Sequence, residues 1–275
     1  MTQDTAARAN ALADRVRSLS CATVRKPVLV YFDIIGICWP IRCLLHLNQV
    51  DYELIKVPID LWIWRAEDGS QPLIESFPNG HVPLYVDEDV RLTESNVISQ
   101  YLAEKYGLLG DTQTEKLAAL EIMSHAYDAL FHWSGLFQVN VRLSTPDDVV
   151  EARLKAFVGE GAWGLVTDGF RRNLDPFERY LDANPAGDTG FIIGTRLSAA
   201  DLHAFNTLCN WFKAFDRDRF TREYPRLDAY IQRIGAIPEV ADYRRHHQEA
   251  TTWLPIPPLG LRLTTPGELE GLIGP

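Results

Sequence analysis

The feature that most limits what this 275-residue chain can become is the point at which its strand signals stop. Val28-Leu29-Val30-Tyr31-Phe32 is a β-branched and aromatic run of strand length, and Ile37, Ile41, Leu44 and Leu45 follow it at helical spacing up to Asn48-Gln49. Tyr52-Glu53-Leu54-Ile55-Lys56-Val57 is a second strand, and a parallel crossover of this length is right-handed. From Pro58 to Gly80 the residues are those of a long loop with one irregular turn. Val82 to Asp87 reads as a strand opened by proline, Asp87-Glu88-Asp89 as a turn and Val90-Arg91-Leu92 as its partner. A helix starts at Thr93-Glu94-Ser95-Asn96, buries Val97, Ile98, Tyr101 and Leu102, and stops at Gly107. Beyond Asp111 only helical periods remain: Thr114 to Asn140 through Leu117, Leu120, Met123, Tyr127 and Leu130-Phe131, then Val149–Phe157, Val166–Leu181, Ala199–Phe215 and Leu227–Arg233.

The order β-α-β-loop-β-β-α followed by helices alone predicts an α/β domain plus an all-α domain. Four segments result: an N-terminal helical extension over 1–26, with Leu12, Val16 and Leu19 on its apolar side; an α/β domain over 27–107; a helical domain over 108–252; and a proline-rich tail over 253–275.

Charge narrows the partners. Twenty-seven Lys and Arg against 37 Asp and Glu leave a net charge of −10. Without a basic run, that balance repels the phosphates from which nucleic-acid binding draws most of its affinity, so nucleic acid and anionic membrane surfaces are not expected partners. The longest early apolar stretch, Ile34 to Ile41, falls far short of the roughly 20 residues of a membrane span. Residues 1–23 lack the apolar core of a secretory signal, which predicts a cytoplasmic protein. Cys21, Cys38, Cys43 and Cys209 form neither a paired zinc spacing nor a disulfide framework, and the seven histidines include no HExxH, so no metal is expected.

Val30-Tyr31-Phe32-Asp33-Ile34-Ile35-Gly36, Ile41-Arg42-Cys43-Leu44-Leu45, Gly80-His81-Val82-Pro83, Leu92-Thr93-Glu94-Ser95-Asn96, Tyr101-Leu102, Tyr106-Gly107-Leu108 and Gly194-Thr195-Arg196-Leu197-Ser198-Ala199-Ala200-Asp201 occur in an order and spacing that resemble the cytosolic glutathione S-transferases, from Pro27 to about Tyr243. The opening segment is most similar to the tyrosine-using mu, pi and sigma branch. The resemblance implies a thioredoxin-like N-terminal domain that binds glutathione as co-substrate, a helical domain that binds a hydrophobic electrophile, and a homodimer. It also implies conjugation of the thiolate to an epoxide, an activated alkene or a halide carbon. An isomerase or thiol-lyase on the same scaffold, and a non-catalytic binding or scaffold protein, are the alternatives.

Site residues follow by the same resemblance. Tyr31 would donate its hydroxyl to the glutathione sulfur, favouring thiolate, although a buried strand aromatic is the plain structural alternative. Val82-Pro83 would be a cis bond, with the Val82 backbone pairing with the cysteinyl part. Glu94 and Ser95, at a helix start, would hold the γ-glutamyl end, where free N–H groups favour a carboxylate. His81 replaces a glutamine that contacts the ligand. Trp62 or Trp64 would reach the glycyl carboxylate, with Arg65 in place of a lysine. Asp128 would serve the ligand's amino group across a dimer, or be a solvated helix position. Ile35, Ile37, His132 and Trp133 would line the electrophile pocket, with His125 and Phe137 on the same helical stripe.

Two departures from the pattern matter. The positions flanking Gly36 are Ile35 and Ile37 rather than arginine, so positive charge near the sulfur is expected to be missing. Cys38 near a helix start is either a thiol activated by the helix dipole or a buried structural residue. The apolar tail after Trp253 is expected to close over the second pocket.

Overall fold

The structure, a computed structural model, describes residues 3–34, 36–141, 169–213 and 217–246. It divides into two compact units, Met1–Leu102 and Ala103–Pro275.

In the first unit, strands β1 (Val28–Phe32), β2 (Glu53–Val57), β3 (Leu84–Val86) and β4 (Arg91–Thr93) form one sheet in the order β2-β1-β3-β4. β1 pairs in parallel with β2 through the crossover helix α2 (Trp39–Leu47), and antiparallel with β3, which pairs antiparallel with β4. This is the α/β sheet expected from the order of elements, in the thioredoxin-like arrangement that the resemblance implied.

Alternation along β1 sends Val28 and Val30 to one face, where they join Ile55, Val57, Leu84 and Val86 in a buried core. That core is closed by α1 (Gln3–Ser18) and by two single-turn helices, α3 (Ile59–Trp62) and α4 (Pro72–Glu75), within the long loop. The buried stripe of α1 is Ala9, Ala13 and Val16, while Leu12 and Leu19 are only partly buried. The expected side therefore does face the core, with Val16 buried in it and Leu12 and Leu19 packed against it, and the two alanines let the helix backbone approach closely. Arg8 lies near Asp60 at 3.8 Å, Arg15 pairs with Glu53, and Arg17 Nη2 donates to the Pro72 carbonyl at 3.1 Å. These contacts are exposed and worth little each, so the alanine and valine stripe carries the docking.

The β3–β4 turn is organised by Asp87. Its Oδ1 accepts the Asp89 and Val90 N–H groups, both at 2.9 Å, and its Oδ2 accepts the hydroxyls of Tyr101 at 2.8 Å and Tyr85 at 3.2 Å. Tyr101 lies on α5 (Ser95–Lys105), so the turn and that helix are tied through one carboxylate.

The second unit is helical among the described residues. Its longest helix, α6 (Gln113–Val141), buries Ala119, Ile122, Met123, Ala126, Ala129 and Leu130. Of the expected stripe, Met123 and Leu130 are buried and Leu120 and Tyr127 half-buried, while Leu117 is 59% and Phe131 45% exposed. Alanines complete the seam: the Thr207 hydroxyl donates to the Ala126 carbonyl at 3.0 Å, a contact that a bulky side chain would hold apart.

Helices Gly169–Ala183, Ala199–Phe205, Arg217–Glu223, Pro225–Gly235 and Pro238–His246 follow. The single helix expected over Ala199–Phe215 is instead an α-helix that widens into a π-helical stretch at Asn206–Lys213, which ends on the buried Lys213–Asp228 ion pair. The expected helix Val149–Phe157 and the proline-rich tail lie outside the described residues.

The segment before Ala199 is locked by one carboxylate. Asp201 accepts from the N–H of Ile192 at 2.8 Å, the N–H of Ser198 at 2.9 Å and the Tyr230 hydroxyl at 2.9 Å, while Ser198 completes a reciprocal capping box. Burial outweighs the hydrogen bonds from Ser198, Ile192 and Tyr230, and pushes Asp201 up to about 6. Burial also pushes His203, two residues on, down to about 3.

The two groups act oppositely on stability. The raised carboxyl contributes stability that is present at low pH and lost as pH rises through about 6. The depressed imidazole contributes stability that is present above 6.5 and lost as pH falls toward 3. Denaturant titrations at pH 7.5 and 5 are expected to separate them. His203→Gln should lose less stability than the wild type over that interval, by about 2 kcal/mol, and Asp201→Asn should lose more, by about 1 kcal/mol.

Candidate functional site

The cross-strand register assembles the expected residues. Val30 faces Leu84 and Leu84 faces Thr93, so one step further along the strands Tyr31, Pro83 and Glu94 fall in one row across the sheet. Residues far apart in sequence thus meet at the carboxyl end of β1, where open α/β sheets place their ligands.

Tyr31 projects from the face opposite Val30 and is only 4% exposed. Gly36, at φ +47°, lies directly against its hydroxyl: a Cβ at that position would sit 2.3 Å from the Tyr31 Oη. Only glycine admits this backbone and this approach together. The guanidinium of Arg42 stands over the Tyr31 ring, 5.5 Å from its centroid. Arg42 comes from α2, is fully buried, and donates from Nη2 to the Phe32 carbonyl at 3.0 Å and from Nη1 to the Ile34 carbonyl at 3.2 Å. No cation flanks Gly36, whose neighbours are Ile35 and Ile37; the cation enters from the following helix. Its signal was an arginine among the otherwise apolar residues Ile41, Cys43, Leu44 and Leu45.

The bond between Val82 and Pro83 is cis, as the resemblance implied. Just before it, His81 is exposed, and its Nδ1 lies 2.7 Å from the Asn79 carbonyl. A carbonyl only accepts, so this bond assigns the hydrogen to Nδ1 and leaves Nε2 outward. Asn79 Oδ1 accepts the His81 N–H at 3.1 Å, and Asn79 Nδ2 donates to Glu94 Oε1 at 2.7 Å.

Glu94 is held at φ +70°, a left-handed conformation that costs a non-glycine residue on the order of 1 kcal/mol. Next to it Ser95, 2% exposed, has an Oγ with no hydrogen-bond partner among the described residues. A buried hydroxyl left unpaired beside a strained residue at a helix N-terminus is an uncompensated cost unless something else binds there.

The two tryptophans separate cleanly. Trp64 is 9% exposed and belongs to the buried core that α1 also joins. Trp62 is half-buried and packs edge-on against Phe32 at 5.4 Å and Phe77 at 5.5 Å between ring centroids. Arg65 is exposed.

Cys38 is fully buried at the start of α2, and Cys43 is buried as well. Ile37 is half-buried in the short 3-10 turn Gly36–Cys38. Ile35 and the side chains of His132, Trp133 and Phe137 lie outside the described residues. Asp128 is exposed on α6. His125 is taken up within the helical unit, with Nε2 3.1 Å from the Asn173 carbonyl and its ring 4.9 Å from that of Phe177. Among the described residues no group of three His, Cys, Asp or Glu is placed to hold a metal, and no helix is long and apolar enough to cross a membrane.

A thioredoxin-like sheet followed by a helical unit, with a buried tyrosine and an unpaired serine at one sheet edge, defines the class. Two family models match the chain, the glutathione S-transferase N-terminal domain over residues 27–104 and the glutathione S-transferase C-terminal domain over residues 165–247. Together they span more than half of it, and the chain belongs to the glutathione S-transferase family.

Among curated relatives, a glutathione S-transferase of Dermatophagoides pteronyssinus is 26% identical over 232 residues, 82% of this chain and 93% of that protein. Glutathione S-transferase P 1 of Xenopus laevis is 27% identical over 84% of this chain and 96% of its own length. Among solved structures, a monomeric glutathione S-transferase of the hookworm Necator americanus superposes with a TM-score of 0.67 at 18% identity, over 82% of this chain and all of its own, and so shares the fold.

Glu94 offers a direct check on backbone strain. Glu94→Gly is expected to leave stability unchanged or raised by up to about 1 kcal/mol in chemical denaturation, despite losing the Asn79 contact, because glycine adopts the left-handed backbone without penalty.

Proposed function

We propose that this protein is a glutathione transferase that adds the glutathione thiolate to a hydrophobic electrophile. The observation that carries the reading is the unpaired, buried Ser95 hydroxyl beside the strained Glu94, in register with Tyr31 across the sheet. A carboxylate and amine terminus seated on Ser95, Glu94 and the first N–H groups of α5 supplies the missing hydrogen bonds and satisfies the helix end.

The strand edge at Val82-Pro83 then meets the middle of the tripeptide, and His81 and Trp62 flank its glycyl end. The sulfur lies at the Tyr31 hydroxyl, which donates a hydrogen bond and favours the thiolate, the nucleophilic species. Asp128 of a partner subunit completes the amino-group site in a homodimer, and Ile35, Ile37, His132 and Trp133 hold the electrophile. A cytoplasmic location goes with this reading, as the family resemblance supports.

Isomerisation or thiol-lyase chemistry uses the same thiolate and differs only in the second substrate. The scaffold alternative drew on the missing arginine beside Gly36 and the missing lysine after the tryptophans, and Arg42 beside the Tyr31 ring supports the catalytic reading over it. A thiol-exchange role for Cys38 is disfavoured by its complete burial.

Calorimetric titration with glutathione tests the reading. Binding between micromolar and low millimolar is expected, about −8 to −4 kcal/mol. With a generic aryl-halide electrophile, Tyr31→Phe should lower kcat/KM by about 10²-fold while glutathione affinity changes little. No binding by either calorimetry or thermal shift overturns the assignment, and unchanged turnover in Tyr31→Phe overturns the role of the tyrosine. Light scattering decides the dimer, expected at about twice the 31.1 kDa chain mass.

A further inference from the structure

We propose that Arg42 is a positioning residue for the Tyr31 hydroxyl: it seats the phenol against Gly36 and lays a buried positive charge under its ring. The inference rests on the glutathione transferase reading and adds to it the source of positive charge that the flanking positions Ile35 and Ile37 do not supply.

Three observations converge. The guanidinium is fully buried, where an ion is retained only if its hydrogen bonds and surroundings compensate the loss of water. Its planar fork donates to two carbonyls two residues apart, Phe32 and Ile34, at 3.0 and 3.2 Å. Those carbonyls belong to the turn that leaves β1 just before Gly36, so the fork holds the chain that forms the far wall of the tyrosine's seat. Gly36 then meets the hydroxyl so closely that even a methyl group would collide with it, at 2.3 Å from Oη.

The phenol hydroxyl is thus held close against Gly36, and the guanidinium stands 5.5 Å from its ring centroid, within the range of a cation–π interaction. A cation at the ring withdraws electron density toward itself and makes the O–H a stronger donor, so the hydrogen bond to a thiolate strengthens relative to the one to a thiol. A lysine would keep the charge and lose the paired donation.

The test is the pH profile of kcat/KM for conjugation, with glutathione affinity measured separately by calorimetry. Arg42→Gln keeps amide donors and removes the charge. Its acid limb is expected to move up by about one pH unit, with glutathione affinity held within about threefold. Arg42→Lys is expected to keep its acid limb within about 0.3 unit of the wild type.

An Arg42→Gln profile that coincides with the wild type overturns the proposal, as does an Arg42→Lys shift as large as that of Arg42→Gln. Should the neutral variant not fold, Gly36→Ala probes the seat from its other wall. An expected fall in kcat of about tenfold with affinity retained supports the proposal, and an unchanged kcat overturns it. A wild-type protein that takes up no glutathione overturns the transferase reading and this inference with it, whereas normal wild-type conjugation with an unmoved Arg42→Gln profile overturns this inference alone.

Discussion

Everything at the sheet edge depends on the pairing of β1 with strands on both sides. β1 takes a parallel partner in β2 and an antiparallel one in β3, and Val28, Leu29, Val30 and Tyr31 are buried along it. With both backbone edges bonded and both faces covered, the strand cannot slip by one residue without turning its apolar set to the wrong face. The register that follows places Tyr31, Pro83 and Glu94 in one row, so a site built from three separate chain segments is positioned by hydrogen bonds made elsewhere. Helix α2 then returns Arg42 beneath the strand it has just left, and the turn in between is held by the carbonyls of Phe32 and Ile34.

Two buried polar groups, one in each unit, are handled in different ways. In the helical unit, Asp201 has its donors arranged around it: Ile192, Ser198 and Tyr230 leave no orphan, and the result is a rigid helix entry. At the head of α5, Ser95 Oγ has no partner among the described residues, and its neighbour Glu94 holds a left-handed backbone. Satisfied polar networks specify structure, whereas unsatisfied ones beside strain mark a place where the chain is arranged for something it does not itself contain.

Much of the fold was legible because local periods differ so strongly between halves. The strand run at Val28–Phe32, the proline at the edge of β3 and the capping residues before α5 each announce an element through local chemistry. The helix faces were legible in part: Val16 on α1 and Met123 and Leu130 on α6 are buried as the period implies. Large apolar side chains do not announce the alanine share of each seam, Ala9 and Ala13 on α1 and Ala119, Ala126 and Ala129 on α6, nor that Leu117 and Phe131 face outward. Alanine seams are weak signals in sequence and strong ones in space, since close backbone approach is what they permit. The π-helical widening after Phe205 had no local signal, because Asn206–Lys213 continues the residue pattern of the helix before it.

By itself, the sequence determined the order of elements, the family motifs and the candidate residues Tyr31, Glu94 and Ser95, because these are properties of short stretches whose spacing carries its own chemistry. Only the tertiary structure decided which tryptophan is core and which is half-exposed, since Trp62 and Trp64 have equal claims until the core that α1 joins takes up one of them. It also decided where the positive charge lies. A cation's influence on a ring depends on distance through space, and Arg42, eleven positions beyond Tyr31, reaches it only because a right-handed crossover folds α2 back over the strand.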